Sequence, residues 1–211
     1  MKKLTIILLV FLFSCKTTPW KDGKIYYNIE KGFTFAEISL IERAMDRWEE
    51  CGHIQFIPTK NKNSVYKIKR RMSVGNTGGT STFGYNKNRS NHMILYQVSF
   101  VIILHELGHC LGLQHEHQRL DRDKYIKINW DNVYRMKWHN FYLLRNRLIN
   151  VSKYKYDYRS IMHYKAYAFS KNNKPTIKPI DKKYILEDLG NYKLSDIDCL
   201  KIRDIYKTTN K

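Results

Sequence analysis

Residues 105–119 read HELGHCLGLQHEHQR and hold four of the eight histidines in a chain of 211 residues. His105 and His109 are four positions apart, which in an α-helix separates their directions by only about 40°. Both imidazoles would therefore project from one face and could share a metal ion. Glu106 lies beside them, where its carboxylate could reach a water molecule on the ion without binding the ion itself. The HExxH pattern thus predicts a helix that carries a catalytic metal site.

The third histidine of the motif, His115, requires a change of chain direction. It lies six residues after His109, so in a continuous helix it would point roughly 120° away from the shared face. Gly112 has no Cβ and can adopt a left-handed conformation, which would end the helix and turn His115 back toward the ion. The stretch therefore predicts a three-histidine site that contains its own turn.

The expected metal is a single catalytic Zn²⁺ bound by His105, His109 and His115. Three neutral imidazoles with one open position suit a redox-inert ion that favours tetrahedral coordination. Water in the open position would have a pKa of roughly 7, and Glu106 would take its proton as it attacks a carbonyl group. The predicted reaction is metal-assisted hydrolysis, most simply of a peptide bond.

The rest of the chain contains no repeats and no Pro/Gly/Ser-rich linker, so we expect one continuous domain. Thr34 to Glu37 form a capping box, and the apolar residues behind it recur at helical spacing as far as Glu50. The further predicted elements are strands at 24–29, 53–58, 65–70 and 92–97, a Gly-rich loop at 74–86, and a helix from about Ser99 to Leu111.

The N-terminus begins MKKLTIILLVFLFSC, a positive start followed by a short apolar run. The run is too short to span a bilayer comfortably, so residues 1–14 are predicted to be a cleaved export signal. The ending LFSC resembles a bacterial lipobox, which implies a lipid on Cys15 and a tether at residues 15–19. The chain would then be a cell-envelope lipoprotein with possible membrane attachment; an ordinary signal and secretion to the medium is the alternative.

The charge is strongly positive, with 38 Lys and Arg against 19 Asp and Glu and a formal net charge of +19. Export makes anionic lipids, cell-surface polymers or acidic substrates more natural partners than nucleic acid, which we do not expect. Because basic and acidic residues alternate along the chain, a solvated basic surface is the simplest explanation. We expect a monomer.

The cysteines allow few pairings. Apart from Cys15, the chain has Cys51, Cys110 and Cys199, which permits one disulfide at most. A bridge between Cys51 and Cys199 would tie an early segment to the C-terminal helix. Cys110 falls within the predicted metal-binding helix, on the side away from its histidines, where we expect a small buried hydrophobic residue.

Residues 105–123, HELGHCLGLQHEHQRLDRD, resemble the extended zinc signature of the astacins, HExxHxxGxxHExxRxDRD. The similarity continues in YDYRSIMHY at 156–164, which resembles the astacin Met-turn, and covers the chain from about Trp20 onward. The resemblance implies that residues 20–211 form a two-lobed α+β metalloprotease domain of the metzincin type. A twisted, mostly parallel sheet and the active-site helix would form the N-terminal lobe. The C-terminal lobe would be mainly irregular and end in a helix.

The resemblance also implies roles for individual residues. Met162 would support the floor of the zinc site. Tyr164 would be an additional, displaceable zinc ligand that stabilises the oxyanion. Glu116 is the residue that separates astacins from other metzincins. An edge strand above the zinc would pair with the extended substrate, and residues 81–85 or the strand at 92–97 would supply it.

In animal astacins a propeptide is removed and the new N-terminus packs against the glutamate equivalent to Glu116. Only residues 16–19 separate Cys15 from the start of the similarity, so we expect no propeptide here. We expect instead that Glu116 pairs with a nearby basic group and that the enzyme folds directly active.

The predicted function is a zinc-dependent endopeptidase that acts on protein or peptide substrates. A zinc-containing surface binding or adhesion protein without turnover is the alternative. Glu106 and Tyr164 are both in place beside the three histidines, which favours the enzyme. Of the other histidines, His117 could be merely exposed, and His163 is expected to pack near the site without binding the metal.

Overall fold

The computed structural model describes residues 17–60, 65–72, 78–146 and 148–207. The predicted export signal at 1–14 and the predicted lipid anchor Cys15 lie outside these residues, as do residues 74–77 of the Gly-rich loop. Within the described ranges, no helix combines the length and the apolar character that crossing a membrane requires.

The N-terminal lobe contains a five-stranded sheet in the order β2-β1-β3-β5-β4. The strands are β1 (Lys24–Ile29), β2 (Gln55–Pro58), β3 (Tyr66–Arg70), β4 (Gly79–Ser81) and β5 (His92–Leu95). β1 pairs in parallel with β2 and β3, and β3 with β5, whereas β4 runs antiparallel to β5. The mostly parallel sheet predicted from the family resemblance is therefore confirmed.

The edge strand above the metal site differs from one of the two segments predicted for it. The strand predicted at 92–97 is not an edge strand, because β5 lies between β3 and β4. The edge strand on this side of the sheet is β4, which lies inside the predicted Gly-rich loop, and of the alternative segment 81–85 only Ser81 belongs to it. A strand of three residues that begins with glycine has little intrinsic strand preference, so pairing with β5 must define it.

Two helices pack together beside the sheet. The capping box at Thr34 and Glu37 begins α1 (Phe35–Glu49), and the Ser99 side chain caps α2 (Phe100–Cys110). Trp48, fully buried on α1, donates from Nε1 to the Leu104 carbonyl oxygen of α2 at 3.0 Å. Burial of one large apolar side chain of this kind stabilises the fold by about 1.5–3 kcal/mol. The core thus fixes the helix that carries HExxH against the rest of the lobe.

The C-terminal lobe is built mainly from short 3₁₀ turns around a second apolar cluster. It also contains a two-stranded antiparallel sheet of β6 (Ile126–Ile128) and β7 (Ile177–Pro179), which the sequence patterns did not predict. The chain ends in α3 (Asp196–Lys207). Each strand of the small sheet has only three residues, too few for a recognisable alternation.

The last helix packs back onto the first lobe. Ile202 and Tyr206 of α3 belong to the N-terminal core, and Tyr206 donates to the Leu111 carbonyl oxygen just after α2. A disulfide joins Cys51, after α1, to Cys199 on α3. Helix α3 therefore lies behind the metal-binding motif although it is almost the last segment of the chain.

Candidate metal centre

Three histidine rings converge at the end of α2. The helix ends at Cys110, and Gly112 just after it has a φ of +99° and donates from its backbone N to the His109 carbonyl oxygen at 2.9 Å. The chain then returns His115, whose Nε2 lies 3.1 Å from His105 Nε2 and 3.2 Å from His109 Nε2. One ligand atom from each of the three rings lies within 4.8 Å of the others. The glycine turn predicted from the sequence is therefore present.

The hydrogen bonds of the three rings fix their tautomers. Each ring has an oxygen acceptor at Nδ1: Ile161 O for His105 at 2.9 Å, Leu113 O for His109 at 2.8 Å, and Gln118 Oε1 for His115 at 2.9 Å. Because a carbonyl oxygen can only accept, the proton resides on Nδ1 and the Nε2 lone pairs point at one another. Burial lowers the pKa of all three rings, to about 3 for His109, so they remain neutral.

This donor set fits zinc. Two nitrogens bound to tetrahedral zinc at about 2.0–2.1 Å lie roughly 3.3 Å apart, close to the two Nε2 separations of this site. Unprotonated imidazole nitrogens held by Nδ1 hydrogen bonds are the form that a metal ion requires. Three lone pairs directed at one point repel each other, and a shared cation removes that repulsion. His105, His109 and His115 could therefore hold one zinc ion.

Glu106 lies between the histidines and the edge strand. Burial raises the pKa of its carboxyl group to about 8. Within the residues described, its Oε2 atom is buried without a hydrogen-bond partner. A Cβ atom on Gly79 of β4 would lie 2.9 Å from Glu106 Cγ, so only glycine lets the edge strand pass this close. Sequence reasoning did not assign a role to Gly79, although the Gly-Gly pair was a signal of close backbone approach.

Tyr164 lies in the same site, where its ring packs against two histidine rings. Its ring lies 3.9 Å from the His117 ring and 4.7 Å from the His115 ring, between centroids. Burial, followed by the Glu106 charge, raises the pKa of Tyr164 to about 12. The phenol therefore keeps its proton near neutral pH and can donate a hydrogen bond.

The expectation that His117 could be exposed is wrong. Its side chain is fully buried, and its Nε2 bonds to the Asn140 carbonyl oxygen at 2.9 Å. The short 3₁₀ turn Glu116–Gln118 folds between the lobes and away from solvent, which the local sequence could not indicate. His163 is also buried and bonds through Nε2 to Tyr156 Oη at 2.9 Å, so it packs near the site as expected.

Met162 fills the space beneath α2. A Cβ atom on Gly108 would lie 2.5 Å from Met162 Sδ and 3.2 Å from Trp48, so the glycine inside HELGH makes room for the methionine. The turn that contains Met162 is held by Asp198 of α3, which accepts a hydrogen bond from Ile161 N at 3.0 Å. Sequence reasoning assigned no role to Gly108 or Asp198. Both depend on contacts between distant segments.

Glu116 is buried and pairs with two basic side chains, Arg119 at 2.8 Å and Lys201 at 2.6 Å. Its Oε1 also accepts a hydrogen bond from Asp157 N at 3.0 Å. Burial by itself would raise the pKa of Glu116, but the Lys201 and Arg119 charges lower it below its usual value. A nearby basic group thus does pair with Glu116, and one of the two comes from α3.

The metal centre opens into a cleft of about 560 Å³ between β4 and the C-terminal lobe. The histidines, Glu106 and Tyr164 form its floor, and Lys137 and Lys165 are among the residues that line its sides. The cleft is open to solvent and large enough for several residues of an extended peptide. The arrangement therefore combines a metal site, a buried carboxylate and a phenol donor in one accessible groove.

Comparison with known proteins agrees with this geometry. Zinc metalloproteinase nas-14 of Caenorhabditis elegans is 35% identical over 196 residues, which is 89% of this chain but 37% of the relative. Low choriolytic enzyme of Oryzias latipes is 34% identical over 201 residues, covering 92% of this chain and 70% of the relative. The chain therefore spans little more than a third of the first of these proteins.

A solved structure shares the fold across both lobes. High choriolytic enzyme 1, a hatching enzyme zinc-protease from Oryzias latipes (medaka), superposes with a TM-score of 0.76 at 30% identity. The match covers 92% of this chain and 95% of that one. The family model for astacin, which describes a peptidase family, matches residues 13–207. The chain belongs to the astacin family.

Proposed function

We propose that the chain is a zinc-dependent endopeptidase that hydrolyses peptide bonds in protein or peptide substrates. The observation that carries the proposal is the convergence of three unprotonated Nε2 atoms beside a buried carboxylate in an open cleft. His105, His109 and His115 would hold one zinc ion. When bound, zinc supplies a Lewis acid that polarises a carbonyl group and makes water more acidic.

Glu106 and Tyr164 would perform the proton transfer and the charge stabilisation. The Oε2 atom of Glu106 has no partner within the described residues. Burial favours its neutral form, whereas the positive charge of bound zinc would favour the carboxylate, which could then take a proton from the attacking water. The same carboxyl group would then deliver that proton to the leaving amine. The Tyr164 hydroxyl group would donate a hydrogen bond to the substrate oxygen that becomes negative, and the stack on His117 would orient the phenol.

The edge strand β4 would align the substrate. Thr82 N donates to the His92 carbonyl oxygen and Tyr96 N to the Gly78 carbonyl oxygen, which sets the register of the β4–β5 ladder. In an antiparallel ladder the residues between bonded pairs point their N–H and C=O groups outward. The outward groups of β4 therefore belong to Gly79 and Ser81. An extended peptide could add there as a further strand above the histidines.

The decisive experiment compares the wild type with Glu106→Gln on a peptide substrate. Loss of the general base should lower kcat/KM by about 10²- to 10⁴-fold while the zinc content stays the same. A chelator should abolish the wild-type activity, and added zinc should restore it. Lys207→Met, an exposed site on α3, is the control and should retain full activity.

The outcomes separate the candidate functions. Hydrolysis that survives both the chelator and Glu106→Gln would reject the zinc mechanism. A wild type that binds zinc and folds, yet cleaves neither casein nor a peptide library, would instead favour a binding protein without turnover.

We also propose that the chain is exported and that residues 1–14 are removed. Cys15 would then carry a lipid, and residues 15–19 would tether the domain to a membrane. The apolar run and the LFSC ending support this proposal. Mass spectrometry of the mature N-terminus, with Cys15→Ser as the control, tests it. An unmodified N-terminus in the medium would mean secretion without an anchor.

A further inference from the structure

A buried charge pair connects α3 to the metal-binding motif. Glu116 directly follows the third histidine, and Lys201 comes from α3, 85 positions further along the chain. Lys201 Nζ lies 2.6 Å from Glu116 Oε2, and the two side chains are only 5% and 2% exposed. Removal of one partner from such a pair leaves an uncompensated charge in the interior.

Arg119 does not make Lys201 redundant. Arg119 Nη1 donates to Glu116 at 2.8 Å, but its Nε and Nη2 atoms donate to the two oxygens of Asp121 at 2.9 and 2.8 Å. Two carboxylates therefore face one guanidinium group. Lys201 supplies the second positive charge, which balances the group of four.

Lys201 also faces further acidic groups. The pKa of Asp157 is raised to about 6 by burial first and then by Asp198 and Glu116, while Lys201 lowers it. Asp198 lies one helical turn before Lys201 on α3. Lys201 is therefore a buried cation close to three buried carboxyl groups, Glu116, Asp157 and Asp198, that come from three segments of the chain.

The Glu116 carboxylate connects this charge to the histidine rings. Its Oε1 accepts from Asp157 N at 3.0 Å, and the backbone N of Glu116 donates to the Met162 carbonyl oxygen at 3.0 Å. These two bonds attach the residue after the third histidine to the Met162 turn. The same turn supplies the Ile161 carbonyl oxygen that accepts from His105 Nδ1. The position of Glu116 thus affects two of the three rings.

The space beside the pair is small. A cavity of about 10 Å³ is lined by Glu116, Met162 and Lys201 among others. That volume is enough for about one water molecule and not for another cationic side chain. Within the part of the chain that the structure describes, Arg119 and Lys201 are the only basic residues that form ion pairs with Glu116.

We propose that Lys201 is a positioning residue of the zinc centre, an internal cation that holds Glu116 and through it His115 and His105. The inference rests on the proposed zinc site and adds to it the statement that α3 helps to set metal affinity. Lys201 does not touch the metal or the substrate. Its effect should therefore appear in zinc binding even when no substrate is present.

The test measures zinc affinity of the full chain by competition with a fluorescent chelator. Lys201→Met should weaken zinc binding by roughly 10- to 100-fold, the usual effect of losing a group that orients metal ligands. Lys201→Arg, which keeps the charge, should recover most of the affinity. Lys207→Met makes the same change at an exposed position of α3 and should bind zinc like the wild type.

A double variant tests the charge balance directly. Lys201→Met combined with Glu116→Gln removes both charges and leaves Arg119 paired with Asp121. It should bind zinc more tightly than Lys201→Met alone, because Glu116 no longer carries the buried charge that Lys201 balances. If Lys201→Met fails to fold, the double variant should still fold. A double variant that also fails to fold, or that binds zinc no better than the single variant, overturns the proposal.

Failure of the proposed function can be distinguished from failure of the role proposed for Lys201. A wild type that does not bind zinc or cleave peptides removes the proposed function, and with it the premise of the inference. A wild type that binds zinc and cleaves peptides, beside a folded Lys201→Met variant of equal zinc affinity, removes only the role of Lys201.

Discussion

Gly108, inside HELGH, has no side chain and so leaves room for Met162 beneath α2. Alanine normally stabilises a helix by about 0.5–1 kcal/mol relative to glycine. Here its Cβ would lie 2.5 Å from Met162 Sδ. Gly108→Ala should therefore lower the free energy of unfolding, by about 1–3 kcal/mol as for other overpacked cores. Urea denaturation followed by circular dichroism measures the change.

A double variant tests whether contact with Met162 causes this loss of stability. Combining Gly108→Ala with Met162→Ala removes the side chain that the new methyl group meets. The double variant should lose less stability than the two single variants added together, because the added methyl group at position 108 no longer meets the Met162 side chain. Additive losses, or a stabilised Gly108→Ala variant, would show that Met162 does not fill this space.

Tyr164→Phe tests the phenol without disturbing its packing. The ring stack on His117 can remain, so KM should change little and zinc affinity should fall by less than about tenfold. The lost hydrogen bond to the developing negative charge should lower kcat by about 100-fold. Steady-state kinetics and chelator competition measure the two effects. An unchanged kcat would exclude Tyr164 from the reaction.

Among single residues, the sequence indicates those whose role follows from local spacing. The approach of the His105 and His109 rings, four residues apart, and the glycine turn at Gly112 are local features, and both are present in the structure. The pairing of Glu116 with Lys201 spans 85 positions, and no periodicity in the chain predicts it. Long-range contacts of this kind are set by tertiary packing, so local sequence patterns do not predict them.

Helices and strands are also predictable only where local features of the sequence define them. α1 is predictable because its capping box and apolar stripe lie within the segment itself. β4 is not, because three residues beginning with glycine become a strand only by pairing with β5. The alternative edge at 92–97 is wrong for the same reason: strand order is a property of the whole sheet.

The edge strand makes a prediction for substrate analogues. If an extended peptide pairs with β4, every second substrate N–H group donates to the strand and the others point away. Single N-methylation along a peptide substrate should therefore alternate in effect. Methylation at a bonded position should lower kcat/KM about fivefold, for a lost hydrogen bond of about 1 kcal/mol, and methylation at the intervening positions should have little effect. A flat profile would contradict pairing with Gly79 and Ser81.

At the scale of the molecule, the zinc motif needs both lobes. His105 and His109 belong to α2, whose apolar side chains pack in the first core, whereas Ile161 O and Gln118 Oε1, which orient two of the rings, come from segments of the chain after α2. The two-lobed fold was expected from the family resemblance and not from sequence periodicity. Apart from its small sheet and α3, the second lobe is built from 3₁₀ turns of three to seven residues, which are too short to carry a periodic signal.

The internal pairing of Glu116 leads to a prediction about the whole chain. Lys201 already supplies the positive charge, and the adjoining cavity has room for about one water molecule, so no amine from elsewhere is needed to neutralise Glu116. A protein that begins at Lys16 and one with extra residues before Lys16 should therefore have equal kcat/KM. Both retain Thr18, which pairs with Tyr85, and the buried Trp20.

Peptide cleavage by the two freshly folded proteins, with zinc content measured in parallel, checks this prediction. Zinc content separates a defect in metal loading from a defect in catalysis. Activity that arises only after the extension is trimmed would mean that a free N-terminal amine takes part in forming the site. That result would contradict direct folding to the active state, and it would also contradict the view that Lys201 is the cation that holds Glu116 in place.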